Sequence, residues 1–171
     1  MRKIWCIAAL TMVLLLIGCG KDYEVTIGLN VGNDTVEIRE LWTDSGAYVD
    51  TETERIPVFS TDTVNTAILG EYEITYNYTF EEKEYSITRY VMVADQTAPI
   101  ITLLPGIDTI QLNEDWIDGG CSVTDNSGEV LTCTTDSVVD STVAGEYQVL
   151  YTAEDSSGNE GFITRIVTVV E

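Results

Sequence analysis

Two patterns of apolar residues run along the chain. The first is continuous: Ile4 to Ile17 is apolar except for Thr11, and Arg2 and Lys3 precede it. Fourteen residues are short for a membrane-spanning helix and suit the apolar region of an export signal. The second pattern alternates. Tyr72, Ile74, Tyr76 and Tyr78 interleave with Glu71, Glu73, Thr75 and Asn77, which predicts a half-buried strand with one wet face. Tyr147, Val149, Tyr151 and Ala153 repeat the pattern, and Ile87, Val91 and Val93, like Ile163, Val167 and Val169, predict a final strand. Turn-forming runs separate these segments: Gly32-Asn33-Asp34, Asp125-Asn126-Ser127-Gly128 and Ser156-Ser157-Gly158-Asn159. Short strands, frequent turns and no helix-period stretch after the leader predict an all-β, antiparallel sandwich architecture.

The sequence also repeats itself. A shift of 74 lays residues 32–49 on residues 106–123, so that Trp42 meets Trp116, Asp44 meets Asp118 and Gly46 meets Gly120. One inserted residue later, 70–76 meets 145–151; after one more, 89–93 meets 165–169. A fixed-period match over both halves predicts two copies of one structural unit. The expected organisation is a signal peptide at 1–18, a short tether at 19–23, and sandwich modules at 24–95 and 96–171.

The leader ends in Leu16-Ile17-Gly18-Cys19, which resembles the bacterial lipobox. That resemblance implies lipid attachment to Cys19 and cleavage before it. Two or three acyl chains hold a protein stably where one does not. The implied location is the cell envelope, outside the cytoplasm, on a bacterial membrane. The alternatives are an ordinary secretory signal or an uncleaved anchor. The second repeat resembles bacterial immunoglobulin-like surface domains of the type also appended to insecticidal crystal toxins. The residues that carry this are Ala98-Pro99-Ile100-Ile101-Thr102-Leu103, Trp116-Ile117-Asp118-Gly119-Gly120, Gly145-Glu146-Tyr147, Asp155-Ser156-Ser157-Gly158-Asn159 and Arg165-Ile166-Val167. The first repeat lacks the Ser-Gly-Asn turn and the Ala-Pro start, so its fold expectation rests on the internal match. The resemblance implies two tandem immunoglobulin-like sandwiches that serve as spacer, adhesive or binding modules. Tyr72 and Tyr147 resemble the tyrosine corner of such folds.

Charge narrows the partners. Of eight basic residues, Arg2 and Lys3 lie in the leader, so six face 29 acids in the remainder. Such a surface repels phosphate, and nucleic acid is excluded as an expected partner. The expected partners are a membrane, through the lipid, and an unidentified protein or glycan. The acidity itself reads either as solubility or as a cation-binding surface.

Cys6 falls in the leader and Cys19 is the lipidation candidate, leaving Cys121 and Cys133. An even pair in an exported protein predicts a disulfide, worth about 3 kcal/mol to the module. Two free thiols are the alternative. Their equivalents in the first repeat are Ala47 and Phe59, an apolar small–large pair expected to touch.

The chain contains no His. Ser-His-Asp and Cys-His catalysis are therefore excluded, no enzyme activity is expected, and no cofactor is implied. For metals, Asp155, Asn159 and Glu160 at one turn are calcium candidates, as are Asp125, Asn126 and Glu129 at another. The competing explanation is that Asp, Asn, Ser and Gly are there to form tight turns. Trp42 and Trp116 are candidate sugar-stacking ligand residues, against a packing role at one repeated position. Arg89 and Arg165 are expected in ion pairs. Asp34-Thr35-Val36, Asp62-Thr63-Val64 and Asp108-Thr109-Ile110 resemble a bacterial O-glycosylation signal, or occur by chance in a chain rich in Asp and Thr.

Overall fold

The computed structural model describes residues 24–171. The expected signal peptide, the tether and Cys19 lie outside them. Eleven strands form two series in one order. The first is β1 (Thr26–Leu29), β2 (Thr35–Glu37), β3 (Ala47–Asp50), β4 (Arg55–Val58), β5 (Gly70–Phe80) and β6 (Lys83–Ala94). The second is β7 (Ile100–Leu103), β8 (Thr109–Gln111), β9 (Cys121–Thr124), β10 (Gly145–Glu154) and β11 (Glu160–Val170). Each strand of the second series has its counterpart in the first; only β4 has none.

The sheets repeat too. β1 pairs with β3, Ile27 opposite Val49, as β7 pairs with β9, Ile101 opposite Val123. The other sheets run β2-β6-β5 and β10-β11-β8. The pairing is mainly antiparallel, as the sequence predicts, with two short parallel additions: β2 beside β6 and β8 beside β11. These pairs join the beginning and end of a series. The long intervening chain supplies the crossover that parallel neighbours need.

The described chain divides into two compact units, cut differently from the repeats. One holds the residues up to Asn33, Thr43–Thr63 and Glu73–Tyr90; the other holds Asp34–Trp42, Val64–Tyr72 and Val91–Glu171. In the first unit Ala47, Val49, Val58, Ile74 and Tyr76 are buried. In the second unit β7 packs on β10 and β11. Ile101, Val149, Tyr151, Ala153 and Val167 form its core, with Trp116, Val123, Tyr147 and Ile163 against them. The inward positions on β10 are those that the alternation predicts.

The repeated motifs turn out to be structural devices. Asp44 Oδ1 accepts the Gly46 amide at 2.8 Å, and Asp118 Oδ1 accepts the Gly120 amide at 2.8 Å. Both glycines need positive φ, 72° and 76°, which L side chains rarely adopt. The buried Tyr76 hydroxyl donates to Asp44, and that of Tyr151 to Asp118. Burial, and then the carboxylate, push Tyr76 up to about 12; Tyr151 is raised for the same reasons. The tyrosine-corner expectation holds: Tyr72 donates to the carbonyls of Asn65 and Ile68, and Tyr147 to Val143 at 2.9 Å.

The two arginines also occupy one niche. Arg89 donates to the carbonyls of Asn30 and Gly46; Arg165 donates to those of Leu104 and Gly120, 74 residues on. Arg165 is 3% exposed and forms the expected ion pair, with Asp108 at 2.6 Å.

Candidate functional site

Three aspartates gather where strands end. Asp95 follows β6, Asp125 follows β9 and Asp155 follows β10, each the first residue beyond its strand. The backbone leaves its ladder there and needs new acceptors, which Asp supplies at short range. Each Oδ1 accepts the amide two residues on: Thr97 at 3.3 Å, Ser127 at 2.8 Å and Ser157 at 2.9 Å. One carboxylate oxygen from each aspartate lies within 4.8 Å of the other two.

The second oxygens differ. Asp155 Oδ2 accepts the Asn159 amide at 2.8 Å, and Asp95 Oδ2 is 3.5 Å from the Ser157 hydroxyl. Asp125 Oδ2 is shut off from solvent, and no donor among the described residues reaches it. Asp95 and Asp155 are buried, 8% and 6% exposed, and Asp125 is partly so. No salt bridge neutralises any of the three among the described residues.

The electrostatics follow. Burial raises the Asp95 carboxyl against the pull of the Thr97 amide, and the charges of Asp125 and Asp155 add to the rise. Burial alone would push Asp155 up too, but donors from Asn159, Ser157 and Gly158 prevail and hold it below the usual carboxylate value. Glu37, beside Asp95, is likewise held low against burial. It accepts the Asn126 amide at 2.9 Å, the Gln96 backbone amide at 3.0 Å and the Thr97 hydroxyl at 2.9 Å. Glu37 is thus fully supplied with donors, whereas Asp125 is not.

The sequence candidates divide around this cluster. Asp155 and Asp125, read from two separate turns, come together. Asn159 stands beside them and donates to Asp155 Oδ2 and to the Asp95 carbonyl. Asn126 is engaged with Glu37, and Glu129 accepts the Ser156 amide at 3.2 Å and its hydroxyl. Glu160 is not in the cluster. It opens β11, exposed, and lines a groove of about 340 Å³ with Thr132, Thr134, Thr152, Glu154 and Phe162. Asp95 is the member that sequence reasoning missed. Its signal was present: Asp95-Gln96-Thr97 has the Asp-x-Ser/Thr spacing of Asp125-Asn126-Ser127 and Asp155-Ser156-Ser157.

Cys121 and Cys133 are joined in a disulfide, Cα atoms 6.3 Å apart. Their supposed equivalents are not cross-strand partners: Ala47 faces Val58 across the β3–β4 pair, and Phe59 is 78% exposed. The alignment is one residue out at that point, because a strand has replaced the disulfide loop. Trp116 lies against the second core and donates its indole N–H to the Ile107 carbonyl at 2.8 Å. Trp42, at the matching position, is half-buried.

Residues 107–169 match the family model described as "Bacterial surface protein, Ig-like domain". The match covers most of the second repeat and none of the first. No curated protein matches the chain.

Proposed function

We propose that the chain is a non-catalytic, extracytoplasmic cell-surface lipoprotein, held to a bacterial membrane through Cys19, whose two sandwiches act as a binding, adhesive or spacer unit. The observation that carries this is the surface-domain match, taken with a leader that ends in Leu16-Ile17-Gly18-Cys19. Labelled palmitate fed to cells that express the full chain tests the anchor. The wild type takes up label and Cys19→Ala does not; an unlabelled wild type overturns it. Protease added to intact cells degrades an outward-facing protein and spares one facing the periplasm.

One observation favours a glycan ligand as a second reading. Phe162 is 77% exposed beside the carboxylates and threonines of the groove along β10 and β11. An open aromatic face with acceptors around it suits the apolar face and hydroxyls of a sugar. A glycan array tests it: binding lost in Phe162→Ala supports this reading, and binding lost in Trp42→Ala or Trp116→Ala moves the site to those residues. The third possibility, a structural partner in an envelope complex, predicts gentle pull-down of one stoichiometric envelope protein.

A further inference from the structure

We propose that Asp95, Asp125 and Asp155 bind one calcium ion where the ends of β6, β9 and β10 meet. The clustering of acids does not carry this alone, since aspartates also gather to form turns. The turns at Asp95 and Asp125, however, use only Oδ1, while at Asp155 the Asn159 side chain also donates to Oδ2. The second oxygen of Asp125 is removed from water and accepts no hydrogen bond from the described residues. Burying a carboxylate oxygen without a donor is costly, and here two further carboxylates stand beside it with no basic partner among the described residues. A bound cation removes that cost.

The size of the cluster suits calcium. Calcium sits about 2.4 Å from each oxygen, so oxygens of one shell lie no more than about 4.8 Å apart. The three aspartates supply oxygens that lie within 4.8 Å of one another. Three carboxylates leave room for waters to complete six to eight ligands, as calcium tolerates and the stricter magnesium octahedron does not. Neighbouring polar groups are otherwise occupied: Glu37 is saturated by donors, and Asn159 turns its N–H toward the cluster to hold Asp155. The site therefore differs from the Asp155, Asn159 and Glu160 set that sequence suggests. Glu160 is replaced by Asp95 and Asp125, which come from 30 to 60 residues away. An extracytoplasmic module meets calcium at millimolar concentration, and sites of this class bind at about 0.1–1 mM.

The test is calorimetric titration of the full chain, purified in detergent, with calcium chloride and separately with magnesium chloride. One saturable calcium site is expected, with weaker magnesium binding and a melting temperature that rises with calcium. Asp95→Asn and Asp125→Asn keep Oδ1 for their turns and remove a charge; each is expected to weaken calcium at least tenfold while circular dichroism stays β-rich. Glu160→Gln is expected to bind as the wild type does. No calcium heat from the wild type up to about 10 mM, well above the expected range, overturns the proposal, whatever the variants do. So does calcium binding unchanged in both aspartate variants, or abolished by Glu160→Gln. Magnesium bound as tightly as calcium overturns the choice of ion. The palmitate and protease experiments do not involve this cluster, so failure here leaves the surface-lipoprotein reading standing.

Discussion

The two repeats close the same hairpin in opposite ways. Between β5 and β6 the chain turns on Glu81 and Glu82 alone, both at positive φ, 47° and 64°. Such a two-residue turn favours Asn and Gly, and glutamates there are strained. Between β10 and β11 the turn is Asp155 to Asn159, with Gly158 at φ 85° and the Asp155 carboxylate accepting the Ser157 and Asn159 amides. The repeats differ a second time beside β3 and β9. The first repeat adds a strand, β4, opposite β3; the second has no such strand and fastens Cys121 to Cys133 instead. Meanwhile the Tyr–Asp–Gly clamp and the buried arginine are the same in both. Devices that hold the sandwich are duplicated, whereas the second copy alone carries the ornate turn. A turn that merely reverses a chain does not need a buried carboxylate, so the extra structure points to a task beyond reversal.

The largest effect that would sharpen this contrast is loss of the disulfide. Cys121→Ala with Cys133→Ala, closing a loop of sequence separation 12, should cost the second repeat about 3 kcal/mol in denaturant unfolding. An unchanged midpoint would mean that the loop is as well held as β4 without it. The shared clamp comes next. Tyr76→Phe and Tyr151→Phe each leave an aspartate without its hydroxyl donor and should cost about 1–2 kcal/mol, equally in the two copies. A cost in only one copy would break the equivalence.

The same tyrosines set an alkaline limit. Their folded pKa values are raised, so the neutral form is favoured in the fold. The stability they contribute is complete below the ordinary tyrosine value of about 10 and is lost as pH rises toward about 12, the value for Tyr76. Melting temperatures measured from pH 9 to 12 should fall through that window, and less steeply in the two Phe variants. The smallest change acts on the plain turn. Glu81→Asn with Glu82→Gly should stabilise the first repeat by about 1 kcal/mol, because the new residues accept positive φ. Grafting the same pair into the other hairpin would have no such benefit, since strain there is already relieved by Gly158.

The alternation along Tyr72–Tyr78 and Tyr147–Ala153 determined the long strands and their inward faces, because period two is a local property of an extended chain. The internal match determined that strands, clamps and arginines would occur twice, and two cysteines left over after a leader of export type were enough to expect their pairing. What local sequence could not determine was which strands lie side by side. The parallel β2–β6 and β8–β11 pairs join residues more than 50 apart, and the one-residue slip that left Phe59 outside depends on whether a strand forms there. The cluster shows this most plainly. Each Asp-x-Ser/Thr was legible as a turn, and Asp155 with Asn159 as a neighbouring pair. Only packing β7 on β10 and β11, with β9 beside β7, brought Asp95, Asp125 and Asp155 to one point. Charge repulsion between carboxylates acts through space rather than along the chain, so their convergence was decided by the tertiary fold.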